Sequence, residues 1–372
     1  LTKKINPINV AIFNDTNTDT SNHYGCSLVM YNLVHKLKQN NLNPVFFWPV
    51  GVDWRDHKEL IKKNFNFFAI IVNGEGTIHH NKEKEKANYI VEIAEFAKNE
   101  LKIPAYLINT TLHENTQDLY KKIIYFENVY VRESSTKGIL KEQGIESNII
   151  PDLTFAAPIN LNGQKRSANS YLITDSTFND LRGKLKNFST EIGWEYVSMK
   201  VRQEQSFTTK YARKFQKLSK KKNLSTLKKF FSYPIKIEES FHQTLKEWRK
   251  PYVKEYLNLV DHSWFIEKIK SKSFVLTGRF HTITLCVKTE TPFVALESNT
   301  PKISALLTDI FGSDQRVISQ EQLKEFEVNI PEKYLNFSDN ELLAIRRFNE
   351  RAIINIDTMI QDIAKDISTH KN

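Results

Sequence analysis

Ser273-Phe274-Val275-Leu276-Thr277-Gly278-Arg279-Phe280-His281 is an apolar, β-branched run that stops at a glycine and delivers an arginine and a histidine just before the helix-like stretch Thr282–Val287. A strand, a tight turn and a helix in that order form the unit of a parallel α/β sheet. The junction aims a fixed cation, an imidazole and free backbone N–H groups at one point, an arrangement suited to phosphate or carboxylate. The competing reading is a βα turn with a solvated arginine and a packed histidine. These residues alone leave both open.

The same rhythm extends on either side. Ile8–Phe13, Val45–Trp48, Phe67–Val72, Ala105–Asn109, Asn128–Arg132 and Ser147–Ile150 read as strands. Ser27–Lys38, Ala87–Lys98 and Ser134–Gln143 read as helices between them. Phe67–Val72 is unbroken apolar, the signature of a strand buried on both faces, and a helix is expected soon after Thr77. The pattern restarts at Ser170–Thr174 and runs through Glu195–Met199, Ser273–Thr277 and Pro292–Leu296 to Arg316–Ser319. The expected fold is therefore α/β, with two Rossmann-like doubly wound domains facing a cleft, the GT-B-like arrangement. The expected boundaries are 1–158, 159–338 with a basic helical insertion at about 202–262, and one or two C-terminal amphipathic helices in 339–372.

Composition narrows the partners. The 372 residues carry a net charge of +10, which favours an anionic ligand. No zinc-finger, RNP or basic-heptad pattern points to nucleic acid. Cys26 and Cys286 are too few for a disulfide framework and read as buried thiols. There is no apolar run of about 18 residues and no signal-peptide pattern, so a cytoplasmic protein is expected. Between Arg213 and Phe231, lysines alternate with Phe215, Leu218, Leu227 and Phe230. This basic segment, 213–230, reads either as a peripheral contact with the inner face of the membrane or an acidic glycan, or as a solvated helix.

Candidate chemistry falls at strand ends, where open α/β sheets bind ligands. Asp15 and His23 follow the first strand; Asp15 reads as an acceptor-binding group or as a turn residue. Glu75, held between Gly74 and Gly76, precedes His79 and His80, and a glutamate so placed is poorly explained by stability. One of the two histidines is expected to titrate near neutral pH. Adjacent histidines lack the i, i+4 spacing that puts a metal pair on one helix face, so no metal is expected. Asp152 lies where the first domain gives way to the second and reads as a nucleophile, base or anchor, or as a helix N-cap. Gly278, Arg279 and His281, with Ser298, Asn299 and Lys302 after the next strand, compose the expected donor cradle.

In order and spacing, four segments resemble the polysaccharide pyruvyl transferase superfamily over most of the chain. They are Asn73–Thr77, Val129–Ser135, Pro151–Phe155, and Gly278–His281 followed by Thr291-Pro292-Phe293-Val294. The resemblance implies a GT-B-like fold, a role in assembling bacterial capsule, lipopolysaccharide or cell-wall glycan, and binding of the donor's phosphate and carboxylate by Arg279 and His281. Three positions depart from the family pattern: its Gly-Gly-Gly is Gly74-Glu75-Gly76, its Asp-Pro is Pro151-Asp152, and its Arg-Asp is Arg132-Glu133. The added carboxylates are similar to the acid/base and nucleophile of retaining β-Kdo transferases.

The leading sequence expectation is thus retaining transfer of a Kdo-type keto sugar acid from a CMP donor to a glycan or glycolipid. Asp152 would be the nucleophile, and Glu75, His79 or His80 would handle the acceptor proton. The alternative is formation of a pyruvate ketal from phosphoenolpyruvate, with His281 as acid and Arg279 as clamp. A non-catalytic glycan-binding protein is a third reading. No cofactor beyond the donor is expected in any of them.

Overall fold

The computed structural model describes residues 6–18, 23–164, 166–201 and 260–371. The basic segment 213–230, and with it nearly all of the insertion expected at 202–262, lies outside the described residues.

The first domain runs β1 (Ile8–Asp15), α1 (Tyr24–Gln39), β2 (Leu42–Pro49), α2 (Lys58–Lys63), β3 (Ile70–His79), α3 (Glu85–Phe96), β4 (Ala105–His113), α4 (Gln117–Ile123), β5 (Asn128–Val131), α5 (Ser134–Glu142) and β6 (Asn148–Ile149). Its six strands are ordered β2-β1-β3-β4-β5-β6, with parallel pairing throughout. The second domain runs β7 (Tyr171–Ser176), α6 (Asn179–Ile192), β8 (Glu195–Val197), α7 (His262–Lys270), β9 (Phe274–Gly278), α8 (Phe280–Lys288), β10 (Phe293–Leu296), α9 (Lys302–Phe311) and β11 (Val317–Ile318). Its five strands are ordered β11-β10-β9-β7-β8, again parallel. The strand order of both sheets reverses beside their first strand, between β1 and β3 and between β7 and β9. A crevice opens at the carboxyl ends of strands at such a reversal, so each domain offers one ligand-binding edge. Two Rossmann-like sheets facing each other make the fold GT-B-like.

The strands are apolar along their length because both faces are covered. One cluster fills the outer side of the first sheet (Phe13, Trp48, Val72, Ile90, Leu107) and another that of the second (Ile173, Leu276, Val294, Ile318). A third joins the domains, uniting Val10, Ile12 and Leu33 with Val275, Phe280 and Ile303. It continues into α10 (Asp339–Lys371), one helix of 33 residues where one or two were expected. Ile345, Ala352, Ile356, Met359, Ile360, Ile363 and Ile367 form its buried stripe. At about 1.5 Å per residue this helix is roughly 50 Å long, enough to reach back from one domain to the other. Arg346 pairs with Glu290 of the second domain, while Lys36 and Tyr106 of the first bond Asp357 and Asp366, each at 2.6 Å.

A second difference concerns β3. The strand does not stop at the glycines but continues to His79, and the next helix begins only at Glu85. Close packing explains this: a Cβ on Gly74 would collide with the Thr110 side chain of β4. The ladder also shifts register between Glu75 and Ile78, and Glu75 takes a left-handed φ of +42°. The glycines let the strand bulge, and the bulge turns Glu75 inward.

Candidate functional site

The two binding edges meet around a cavity of about 210 Å³. Thr16, His23, Cys26, Glu75, Gly76 and Thr77 line it from the first sheet and α1. From the second domain come Thr177, Lys200, Arg279, Phe280, His281, Asn299 and Lys302, and Arg132 enters from the end of β5. The domains also touch directly here: His23 bridges Lys200, and Asn299 Nδ2 lies 3.3 Å from His79 Nε2.

One wall is cationic. Arg279 donates through Nε to Asp175 Oδ1 at 2.8 Å and through Nη2 to Asp175 Oδ2 at 3.0 Å, so the guanidinium is held in a fork. Arg132 donates through Nη1 to Asp152 Oδ2 at 2.8 Å and through Nε to Thr111, and its guanidinium lies 4.2 Å from the centre of the Phe280 ring. Lys302 donates to Asn299 Oδ1 at 2.9 Å and, among the described residues, has no ion-pair partner. Burial, then the charge of Arg132, pushes its ammonium down to about 7, with Glu297 and Glu133 opposing. A buried lysine without a carboxylate gains most from an anionic ligand. Gly76 keeps the approach open: a Cβ there would sit 3.4 Å from both Arg132 Nη2 and Lys302 Nζ.

His281 stands at the start of α8 with its Nε2 3.6 Å from Asp152 Oδ2, wider than a hydrogen bond. Asp152 is fully buried and is not part of the cavity wall; its Oδ1 caps the short helical turn Leu153–Phe155 through the Thr154 N–H. Burial pushes the Asp152 carboxyl up, but the charges of His281 and Arg132 and the Thr154 N–H outweigh it and hold the group well below the usual carboxylate range. Asp152 thus stands as a buried carboxylate beside the imidazole. A nucleophile needs access to the donor, and Asp152 has none through His281. Gly25 fixes the ring from the other side, since any Cβ there would collide with His281 Cβ, Cγ and Nδ1.

Glu75 lines the same cavity from β3. Its Oε1 accepts from Thr16 Oγ1 at 2.5 Å and Asn73 Nδ2 at 2.9 Å, and its Oε2 accepts from Cys26 Sγ at 3.3 Å. Glu75 makes no ion pair among the described residues. His23 caps α1 by accepting the Cys26 N–H on Nδ1. Burial, followed by the charges of His281, Arg279, Lys200 and Lys302, holds it well below the ordinary histidine value, hence neutral.

The remaining candidates are scattered. His79 is pushed down to about 3 by burial and by the charges of Lys84 and Lys302, so it does not titrate near neutrality. His80 points away from the cavity towards Glu114, with Nε2 2.6 Å from Oε2. Asp15 is buried and accepts the Asn17 N–H, a turn role. Ser298 bonds Thr177 and Asn299 beside the cavity rather than lining it. Gly278 is required by packing, because a Cβ would come within 2.8 Å of Ser176 on β7. Sequence reasoning missed Asp175, Arg132, Lys200 and Thr16 as parts of the site. Arg132 was visible only within the segment Val129–Ser135 that carries the family resemblance, and Asp175 only as a charged residue at the end of an apolar strand.

A family model described as polysaccharide pyruvyl transferase matches residues 23–300, which include most of the cavity wall. No curated protein sequence matches the chain. Among solved structures, a functionally uncharacterised protein from Klebsiella pneumoniae is similar at 13% identity and a TM-score of 0.46, over 84% of this chain and 93% of its own. MnaA of S. aureus, solved with UDP, is similar at 9% identity and a TM-score of 0.49, over 92% and 95%. The UDP-GlcNAc 2-epimerase of Methanocaldococcus jannaschii is similar at 12% and 0.44, over 92% and 100%.

Proposed function

The chain belongs to the polysaccharide pyruvyl transferase family, and we propose that its cleft transfers a pyruvyl group from phosphoenolpyruvate to two hydroxyls of a glycan, forming a cyclic ketal. The observation that carries this reading is the convergence of Arg132, Arg279, Lys302 and His281 on one cavity that Glu75 also lines. Phosphoenolpyruvate presents a phosphate and a carboxylate on one small carbon skeleton. A held arginine fork and a lysine short of a counter-ion suit those two anions.

In this scheme His281, with Asp152 behind it, gives a proton to the methylene carbon of the donor. The first glycan hydroxyl then adds to the carbon that bears the carboxylate. Glu75, on the acceptor side, takes that hydroxyl's proton. The C–O bond to phosphate breaks as the second hydroxyl closes the ring, and inorganic phosphate leaves with one proton. The cations stabilise charge on the departing phosphate, the larger part of such catalysis.

Kdo transfer, the leading expectation from the sequence, gives way to the alternative on two grounds. The family match favours pyruvyl transfer, and the carboxylate assigned as nucleophile lies behind His281. The acceptor we infer is a capsule, lipopolysaccharide or other cell-surface glycan precursor, met at the cytoplasmic membrane face by the basic segment 213–230. No helix among the described residues is long and apolar enough to cross a membrane. The test is to incubate the protein with phosphoenolpyruvate and bacterial glycolipid extracts, then follow phosphate release and acceptor mass. Phosphate release coupled to a pyruvate ketal on the acceptor supports the proposal; an unchanged acceptor pool alongside active Kdo transfer from CMP-Kdo refutes it.

A further inference from the structure

Outside the cleft, His80, His113 and Glu114 gather at the carboxyl ends of β3 and β4. One ligand-type atom from each lies within 4.8 Å of the others. The Glu114 carboxylate sits between the two rings, with Oε2 2.6 Å from His80 Nε2 and Oε1 3.4 Å from His113 Nε2. The ring centres are 5.5 Å apart, inclined at 62°.

The backbone sets this up. His79 and His113 are register partners, and the His80 N–H donates to the His113 carbonyl at 3.0 Å. The residue after each partner is left-handed, with φ +52° at His80 and +48° at Glu114. L-residues avoid that region, and here two non-glycines adopt it side by side. The matched turns bring His80 and Glu114 off the strand ends together, towards His113.

The other nitrogen of the His80 ring is held as well: Nδ1 lies 2.7 Å from His79 Nδ1, which leaves Nε2 turned towards Glu114. A ligating histidine whose second ring nitrogen is held by a neighbour is the usual outer-shell arrangement of metal sites.

We infer that His80, His113 and Glu114 bind one divalent cation of the zinc class, through two imidazole nitrogens and one carboxylate at the carboxyl ends of β3 and β4. Two nitrogens and an oxygen favour a borderline ion such as Zn²⁺ over Mg²⁺ or Ca²⁺. The Glu114 side chain is 62% exposed, which leaves a coordination position for water and lets the carboxylate shift until the ligand atoms stand at the roughly 3.3 Å spacing of a tetrahedral site. The sequence suggested no metal because the adjacent pair His79–His80 has the wrong spacing; the partner is His113, on the neighbouring strand.

The competing arrangement is a plain imidazolium–glutamate ion pair. Equilibrium dialysis of the full, tag-free chain against Zn²⁺, with metal counted by mass spectrometry, separates the two. Co²⁺ substitution read by visible absorption provides a second readout. The account expects one equivalent of Zn²⁺ and a four-coordinate Co²⁺ spectrum, with affinity falling about 100-fold in His113→Ala and at least about tenfold in Glu114→Gln. Both substituted side chains reach solvent, and circular dichroism checks that each variant folds. Absence of binding by the wild type, or equal binding by wild type and both variants, overturns the inference.

Discussion

Arg279 and Asp175 meet side by side, with Nε to Oδ1 at 2.8 Å and Nη2 to Oδ2 at 3.0 Å, and the arginine so held lines the cavity. Asp175 also accepts from Ser198 Oγ and the Met199 N–H, so the arginine is fixed before any ligand arrives. Arg279→Lys keeps the charge but cannot form the fork. It is expected to raise the KM for phosphoenolpyruvate about tenfold or more, with a smaller effect on kcat, in steady-state phosphate-release assays. Asp175→Ala leaves a buried cation without its partner and is expected to cost about 3–5 kcal/mol of stability in denaturant melts.

The His281–Asp152 pair predicts a graded loss. His281→Gln is expected to lower kcat about 10²- to 10⁴-fold, the usual effect of removing a general acid, while donor binding is largely retained. Asp152→Asn keeps the shape behind the ring and is expected to lower kcat less. Intact mass spectrometry with donor present is expected to show no adduct on Asp152. An adduct there would restore the nucleophile reading.

Gly25 makes room for His281. Gly25→Ala adds a methyl where the ring stands, and overpacking of this kind costs about 1–3 kcal/mol. The larger effect is expected on turnover, because the ring must turn away from Asp152. Comparing the melting shift with the kcat loss measures the two separately.

Lys302 gives the pH dependence a sign. Its ammonium, at about 7 in the fold, is charged below that pH and neutral above it. Donor affinity is therefore expected to fall as pH rises above 7, and Lys302→Arg is expected to flatten the profile. The same depression works in reverse on stability. Between about 7 and the unfolded lysine value of about 10.4 the unfolded chain binds more protons, so this group's contribution to stability rises with pH across that window. Calorimetric titration at several pH values checks the first expectation and thermal melts the second.

The fold was legible because most of its central strands are unbroken apolar runs followed by turn residues, a pattern that has few meanings when it alternates with amphipathic helices. Arg279 and His281 could be singled out because a glycine and a helix start bracket them. What the sequence could not show was pairing at a distance. Arg279 and Asp175 are 104 residues apart, and nothing local to either predicts the other. Asp152 looked reactive for the same reason, since only the folded chain places it behind His281 and against Arg132. Glu75 read as the end of a strand because two glycines usually break one. Here Gly74 is small because Thr110 packs against it, and the strand runs on.

The central claim is that the cationic wall of Arg132, Arg279 and Lys302 exists to hold phosphoenolpyruvate. Isothermal titration of phosphoenolpyruvate and, separately, of CMP into the wild type and Arg279→Ala tests this most directly. The account predicts saturable one-to-one binding of phosphoenolpyruvate that the substitution abolishes, with CMP giving at most a weak signal. Saturable binding of CMP, with none of phosphoenolpyruvate, would contradict it.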